Sequence, residues 1–411
     1  MVALDNRRIA GEAVGRMVPS ATPTSAARVY WTALIGLLFD YYDLYLFIYL
    51  EQTLAGAFRL TPAASNALQF AGLAGVGAGA LAFGGLADRY GRGRMMLVVF
   101  GVYVAGLAGL SGAWSYGSLL GFRLLASLAL GAEWGISHTY LAERVDRPAR
   151  YRFSALLQFA ILGGLGAALA RHFLLGAWGW RGLFAASIVP VVGLSVVRWR
   201  VLASEAGGPG SQVPGREPGA TALDLGPATV GRGALRANGK AFAICLALAS
   251  LTIASGTINV FYAKDLPQSV AYTVCFWLNV APGMLAGAWI VRRLGVGRAL
   301  AVYALALMAL SLWAWSSAWP QRTLAFALVL PLLNGVPFGL MGAFFNEVFG
   351  GYRTMLSGAA YNLGRILAGF APAVILGLGL HSGGRYFLFT AVLGAGVLAL
   401  SAAAARLPRW R

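Results

Sequence analysis

Five charged residues lie inside long apolar stretches of this sequence, where a charge is costly. They are the acids Asp40, Asp43 and Glu133 and the bases Arg123 and Arg365. A charged side chain at the centre of a bilayer costs about 2.5–3.5 kcal/mol even on insertion scales, so such residues are functional candidates. The set contains three acids and two bases, so one acid has no fully charged partner. Burial favours the neutral form of an unpaired carboxyl, so we expect one of the three to bind and release a proton.

Each of these residues also has a structural interpretation, which the sequence leaves open. Asp43 and Arg123 can form a permanent ion pair between two helices, and Glu133 can be a hydrogen-bonded packing residue. Arg365 has the stronger functional case, because no acid matches it in its own part of the chain and a planar guanidinium binds a carboxylate through two parallel hydrogen bonds. The residues predicted to bind a small molecule are Arg123, Arg365, Tyr361, Asn362 and Tyr42.

The composition indicates the elements that must position these side chains. Of the 411 residues, 59% are hydrophobic and 11% are charged, against about 25% charged in a soluble domain. Apolar stretches close to the roughly 20 residues of a membrane-spanning helix recur along the chain. Twelve are predicted, at 29–51, 66–87, 95–113, 117–140, 153–175, 182–199, 240–262, 268–291, 299–318, 323–345, 354–377 and 384–405.

The basic residues are distributed unequally between alternate loops. Most of the 32 Lys and Arg fall in the two termini and in the loops after every second helix. This asymmetry is typical of cytoplasmic loops, so both termini are predicted to lie in the cytoplasm of a multi-pass protein of the cell membrane. The net charge of +18 is thereby explained by topology, and no nucleic-acid partner is expected.

The same pattern divides the chain. The predicted divisions are a disordered cytoplasmic tail at 1–28, a six-helix bundle at 29–200, a flexible Gly- and Pro-rich cytoplasmic linker at 201–239, a second six-helix bundle at 240–405 and a cytoplasmic C-terminus at 406–411. The two cysteines and three histidines form no cluster, so we expect no disulfide, metal or cofactor.

The second half of the chain repeats the first at an offset of 204 residues. The segment 131–135 with Glu143 matches 335–339 with Glu347, and 89–94 matches 293–298 in the same register. Two segments in one register indicate a true internal repeat. We therefore predict an all-α membrane protein with twelve transmembrane helices in two pseudo-symmetric bundles, with the substrate path between them.

The loop at 84–94 has residues suited to a gate. Its sequence, GGLADRYGRGR, places glycines for a tight reversal after Asp88, an acid that can meet the positive end of a neighbouring helix. Its arginines can meet helix C-termini or Glu143. The loop resembles the signature loop of the major facilitator superfamily, and the resemblance implies the fold predicted above. The predicted gating residues are Gly84, Asp88, Arg89, Gly91, Arg92, Glu143, Arg152, Glu347 and Arg353.

Further segments resemble the metabolite:proton symporter branch of that superfamily, which includes sialate and lactate symporters. They are FDYYD at 39–43, the segment from Arg123 to Arg152, and YNLGR at 361–365. Together with the buried charges, the resemblance predicts a proton-coupled symporter of a small organic anion. Asp40, Asp43 or Glu133 would carry the proton, and the protein would act as a monomer in the bilayer. The alternatives are a neutral or zwitterionic substrate, an exporter, and, with less support, a membrane enzyme or sensor.

Overall fold

The computed structural model describes residues 23–206, 227–258, 270–316, 322–382 and 384–407. Helices of the first half are α1 (Pro23–Ala57), α2 (Pro62–Tyr90), α3 (Arg92–Ser111), α4 (Tyr116–Arg144), α5 (Arg147–Leu157), a 3₁₀ turn (Gln158–Leu162) and α6 (Gly163–Ala206). Helices of the second half are α7 (Pro227–Thr257), α8 (Val270–Leu278), α9 (Val280–Leu294), α10 (Val296–Ser316), α11 (Arg322–Val348), α12 (Arg353–Gly369), α13 (Ala371–Gly377) and α14 (Arg385–Ala405).

These helices confirm the all-α fold predicted from the apolar stretches. Within the described residues, eleven helical segments are long and apolar enough to cross a membrane. One of them, Pro148–Ala203, spans two of the predicted helices. Between these two helices the backbone leaves helical geometry at Gly179, with φ 62° and ψ 176°. Dividing the segment there gives the twelve predicted helices.

Local sequence signals set several of the helix ends. Thr61 caps α2 by accepting a hydrogen bond from the Ala64 amide, and a proline follows it at the first helical position. Gly91 and Gly295 end α2 and α9 with φ of 95° and 80°, values that favour glycine. These two glycines are 204 residues apart, so the reversal after α2 recurs after α9.

Close packing of helices follows the same repeat. In the first half, Gly131 of α4 lies directly against the carbonyl oxygen of Val76 in α2. In the second half, Gly335 of α11 lies in the same way against the carbonyl oxygen of Val280 in α9. Small residues let helix backbones approach closely in membranes, and this contact recurs residue for residue. The internal repeat is therefore a repeat of structure as well as of sequence.

The predicted linker differs from the structure at both ends. The helix α6 continues to Ala206 and α7 begins at Pro227, whereas a structureless segment was predicted over 201–239. Residues 230–240 lack a continuous apolar run, yet they contain Ala, Leu, Arg and Lys, which favour helix in water as well as in lipid. The helix α1 likewise begins at Pro23, inside the predicted tail. The rest of the predicted tail (1–22), the middle of the linker (207–226) and residues 408–411 lie outside the described residues.

Among the described residues, four helix pairs make the most extensive contacts between the two halves. They are α2 with α12, α4 with α12, α5 with α11, and α5 with α9. Most of the Arg and Lys side chains described lie at the end of the bundle where α2 and α4 end and α12 begins, which we call the arginine-rich end. The interface between the halves is where the predicted site has to be assembled.

Replacing Gly131 by alanine tests this packing. A Cβ there would overlap the Val76 carbonyl, and overpacking costs about 1–3 kcal/mol. We expect G131A to lower the melting temperature of the purified protein in detergent. The control is G121A in the same helix, where a Cβ meets nothing within 4 Å. This variant should melt at the wild-type temperature or above it, because alanine favours helix. Equal melting of the two variants would contradict the packing argument.

Candidate functional site

Arg365 of α12 lies among aromatic rings from both halves. Its Cζ is 5.1 Å from the ring centroid of Tyr361 and 5.6 Å from that of Tyr41 in α1. The hydroxyls of Tyr41 and Tyr361 are 3.0 Å apart. On its other side Tyr361 stacks on Trp134 of α4, with centroids 4.0 Å apart and planes 4° from parallel. Residues of α1, α4 and α12 thus meet at the interface between the halves.

Asp40 and Arg365 are the unpaired charges of this region. Both carboxylate oxygens of Asp40 and both terminal nitrogens of Arg365 are buried and have no hydrogen-bond partner. Arg365 is the cation that attracts Asp40 most strongly, but the two side chains do not form an ion pair. Buried polar groups are nearly always hydrogen-bonded. A guanidinium with free donors beside an acid with free acceptors is therefore suited to binding a further polar molecule or proton.

Asp43 and Arg123 form a buried ion pair between α1 and α4. Arg123 Nη1 donates to Asp43 Oδ2 at 3.1 Å, and both side chains are almost fully buried. Arg123 also lies over the ring of Phe47, 3.9 Å from its centroid. Gly72 of α2 leaves room for the guanidinium, since a Cβ there would lie 2.8 Å from Arg123 Nε. Arg123 is thus held by groups of its own half and has less freedom than Arg365 to bind a ligand.

Glu133 has a partner that the sequence interpretation missed. Arg198 of α6 donates from Nη2 to Glu133 Oε1 at 2.7 Å, and Arg198 is only 2% exposed. The sequence analysis did not include Arg198 among the charges inside apolar stretches, because it stands near the end of the stretch 182–199. The predicted excess of one acid is therefore wrong, since α6 continues past Arg198 and keeps it inside the protein. Asp40 is unpaired because no base donates a hydrogen bond to either of its carboxylate oxygens.

Two of the predicted ligand-binding residues have other contacts. The hydroxyl of Tyr42 accepts a hydrogen bond from Ser187 of α6 at 3.4 Å, within the first half. The tyrosine of α1 that contacts Arg365 is Tyr41, and a binding role for Tyr42 stays a prediction. Asn362 donates from Nδ2 to the Gly131 carbonyl at 2.8 Å and thereby ties α12 to α4, while its Oδ1 has no partner.

At the arginine-rich end, Asp88 binds the first turn of α12. Its carboxylate accepts hydrogen bonds from the Thr354 amide at 3.1 Å and from the Met355 amide at 2.9 Å. A carboxylate at a helix N-terminus is stabilised by the free amides and by the helix dipole. Gly84 makes the approach possible, because a Cβ there would lie 2.9 Å from Met355 Cα. The expected contact of Asp88 with a neighbouring helix is present, and it joins the two halves.

Arg92 completes this contact. It donates from Nη2 to Asp88 at 2.9 Å and to Glu143 of α4 at 2.9 Å. The second half has Arg292 at the position of Asp88, so the repeat contains this carboxylate only once. We call the group Asp88, Arg92, Glu143 and the first turn of α12 the latch.

The remaining predicted gating residues are dispersed. Glu347 accepts a hydrogen bond from the Tyr151 hydroxyl at 2.9 Å, which joins α11 to α5 across the halves. Arg353 donates to the Phe349 carbonyl at 3.0 Å within its own half. Arg152 is exposed, and Arg89 lies beside Tyr90, 5.4 Å from that ring centroid. The prediction missed Tyr151, which carries no charge to mark it.

A buried amide contact near Glu347 also went unpredicted. Thr139 of α4 donates to Asn346 Oδ1 in α11 at 2.7 Å, so a third polar contact joins the halves at this end. Among the described residues, no group of three His, Cys, Asp or Glu is placed to hold a metal ion.

Comparison with known proteins identifies the family. The model of the Major Facilitator Superfamily matches residues 33–372, which is most of the chain. The chain belongs to the major facilitator superfamily.

Relatives and solved structures agree with this assignment. The cis,cis-muconate transport protein of Acinetobacter baylyi is 27% identical, over 88% of this chain and 89% of its own length. The niacin transporter of the same organism is 32% identical, over 41% of this chain and 38% of its own length, so that alignment spans less than half of the relative. The proton:xylose symporter XylE has the same fold, with a TM-score of 0.68 and 16% identity, over 92% of this chain and 94% of that chain.

In this member of the superfamily, the latch can be tested through Asp88. Asparagine offers one acceptor oxygen instead of two and removes the charge at the helix N-terminus. Hydrogen bonds to charged groups contribute about 1.5–3 kcal/mol, so we expect D88N to raise the population with separated halves about tenfold. The measurement is the maleimide reaction rate of S357C, a buried position of α12, in a background without Cys245 and Cys275. The control D146N changes an exposed acid at the same end, and an equal increase there would refute the latch.

Proposed function

We propose that this protein is a proton-coupled symporter of a small organic carboxylate that works by alternating access. The observation that carries the proposal is the pair of unpaired groups at the interface of the halves, the guanidinium of Arg365 and the carboxyl of Asp40. The guanidinium presents two free nitrogens, which is the arrangement that binds a carboxylate through two hydrogen bonds. The muconate and niacin transporters among the relatives carry carboxylic acids by name, which supports this substrate class.

The proposed cycle follows from charge. A substrate anion neutralises Arg365, and a proton neutralises Asp40, so the loaded site contains no net unpaired charge. Tyr41 and Tyr361 surround the bound carboxylate with ring surface and hydroxyl groups. A neutral site is cheaper to enclose in an apolar environment than a charged one. Loading with both ligands therefore favours the rocking of one half against the other, whereas binding of only one of them leaves a net charge that disfavours it.

The orientation of the cycle comes from the loop charges. The arginine-rich end faces the cytoplasm, because basic loops remain on that side of the membrane. The latch of Asp88, Arg92 and Glu143 is then the cytoplasmic gate, and its contacts are formed in this structure. Substrate released into the cytoplasm has to pass a gate in which these contacts are broken.

Uptake into proteoliposomes tests the proposal. The panel consists of labelled nicotinate, cis,cis-muconate, lactate, N-acetylneuraminate, xylose and betaine, each measured with and without an inward proton gradient. We expect one or more carboxylates to accumulate only with the gradient. Movement of xylose or betaine alone would favour the neutral or zwitterionic alternative. Efflux of substrate driven by an inward proton gradient would favour an exporter.

Arg365→Lys tests the binding of the carboxylate. Lysine keeps the charge but has no planar pair of donors, so we expect the KM for the carboxylate to rise about tenfold, equivalent to about 1.4 kcal/mol. The matched control is R385K, at an exposed position of the second half, which should leave KM unchanged. An unchanged KM in R365K with normal folding would assign a structural role to Arg365.

Asp40→Asn tests the coupling group. At high pH the ionised Asp40 attracts Arg365 and competes with the substrate anion, so wild-type affinity should fall as pH rises. Asparagine is neutral at every pH, so the KM of D40N should lose this dependence. The measurement is KM for exchange between pH 5.5 and 8.5, with D146N as the control. A D40N profile parallel to wild type would exclude Asp40 as the coupling acid.

A further inference from the structure

Glu133, Ser137 and Arg198 form a polar cluster inside the first half, away from the interface of the halves. Glu133 Oε1 accepts a hydrogen bond from Ser137 Oγ at 2.6 Å and from Arg198 Nη2 at 2.7 Å. The second oxygen, Oε2, has only a 3.4 Å contact to Arg198 Nη1. One carboxylate oxygen is thus held firmly, while the other keeps lone pairs for a further proton or hydrogen bond.

The chain makes space for this cluster beside α1. Gly36 lies directly against Glu133 and Arg198, and a Cβ at this position would overlap both side chains. Asp40 stands one turn further along the same helix, on the same face. An alanine in place of Gly36 would favour the helix, so the glycine indicates that space for the ion pair is worth more here than helix propensity.

A small cavity, mostly apolar in its lining, has Glu133 of the cluster and Asp40 among its lining residues. Asp40 and Glu133 line it together with Gly36 and Tyr103, and apolar residues of α3 and α4 complete the lining. Its free space is about that of a single water molecule. The two oxygens of Asp40, which have no protein partner, provide acceptors for such a water. A water molecule in this space would have Asp40 and Glu133 as neighbours, and in the proposal it carries a proton between them.

The position of Arg198 shows on which side of Asp40 the cluster lies. It precedes the exposed Arg200 by two residues near the arginine-rich end of α6, and Ser137 lies one turn nearer that end than Glu133. The cluster therefore lies between Asp40 and the arginine-rich end. The substrate region at Arg365 and Tyr361 is on α12, in the other half. A proton that moves through the cluster does not pass the substrate.

We propose that Arg198 is a positioning residue that holds Glu133 as the acceptor of the coupling proton, so that the proton leaves Asp40 towards the cytoplasm inside the first half. This inference rests on the proposed function. In the step, the O–H bond of protonated Asp40 breaks and its proton passes to a water molecule. The water gives one of its own protons to Glu133 Oε2. Asp40 becomes a carboxylate, Glu133 becomes neutral and the water is unchanged.

The charges around the two acids are consistent with transfer in both directions. Glu133 is faced by Arg198 of α6, by Asp40 of α1 and by Tyr103 of α3, whose hydroxyl donates to the Phe39 carbonyl at 3.4 Å. In the proposed path Glu133 passes the proton on towards the arginine-rich end, and Arg198 remains hydrogen-bonded to its carboxylate.

The charges that act on Asp40 come from both halves. They are Arg365 of α12, Arg123 of α4, Glu133 of α4 and Asp43 of α1. Substrate binding at Arg365 removes the strongest of the attractions for ionised Asp40. The anion therefore keeps the proton on Asp40, and departure of the anion releases that proton into the cluster.

A purely structural ion pair between α4 and α6 predicts a different phenotype. Exchange of external for internal substrate needs the loaded protein to move between its two states, but it does not need the coupling proton to be released. Net accumulation needs release in every cycle. Loss of the proton acceptor therefore slows accumulation and spares exchange, whereas damage to the fold slows both.

The experiment compares these two rates in proteoliposomes, using the carboxylate of the uptake panel that wild type accumulates. For R198Q and for E133Q we expect gradient-driven accumulation to fall at least tenfold while exchange stays within twofold of wild type. R198K should restore part of the accumulation, because it keeps a positive charge near Glu133. The control R200Q removes an exposed arginine two residues away and should match wild type in both assays.

Each outcome has a defined meaning. Parallel loss of accumulation and exchange in E133Q, an isosteric change, would overturn the inference and leave a structural pair. Wild-type accumulation in R198Q or E133Q would also overturn it. If R198Q does not fold, the result for E133Q decides. If wild type itself accumulates no carboxylate under a gradient, the proposed function fails, and that result is distinct from a failure of the variants alone.

Discussion

The absence of water inside the bilayer governs this structure, because every buried charge needs a partner in the protein. The acids Asp40, Asp43 and Glu133 and the bases Arg123, Arg198 and Arg365 are six charged residues of the described helices. Two ion pairs, Asp43–Arg123 and Glu133–Arg198, account for four of these six. Both pairs lie inside the first half. The remaining acid and base, Asp40 and Arg365, come from different halves and are not hydrogen-bonded to each other. Under the proposed function, binding of a proton and an anion lowers the free-energy cost of burying these two groups, and this couples ligand binding to the movement of the halves.

The repeat supplies the architecture, and its departures supply the asymmetry. Backbone contacts such as that of Gly131 with Val76 recur 204 residues later. Two of the important charged residues do not recur: Pro337 stands at the position of Glu133 and Arg292 at that of Asp88. Close packing depends on small side chains in register and has to be kept in both halves. A buried charge is needed only where it has a function, and most of the buried charges discussed above lie in the first half.

The sequence predicted the fold well because its signals are local and strong. Long apolar runs, loop charges and the repeat each depend on residues that lie close together in the chain. Arg198 was misplaced because its burial depends on how far α6 continues, and Tyr42 was chosen instead of Tyr41 because neighbours on a helix differ by about 100° in direction. Contacts such as that of Tyr151 with Glu347 join residues far apart in the chain. No local pattern marks an uncharged side chain for such a role.

The stacking of Trp134 on Tyr361 has a spectroscopic consequence. The two rings belong to opposite halves and lie 4.0 Å apart, with the indole fully buried. Any separation of the halves at this level must take the indole from a ring surface into water. Indole emission shifts to longer wavelength in a more polar environment. With the other tryptophans of the 12 in the chain replaced, the native residue would report by fluorescence how far the two halves have moved apart during each cycle.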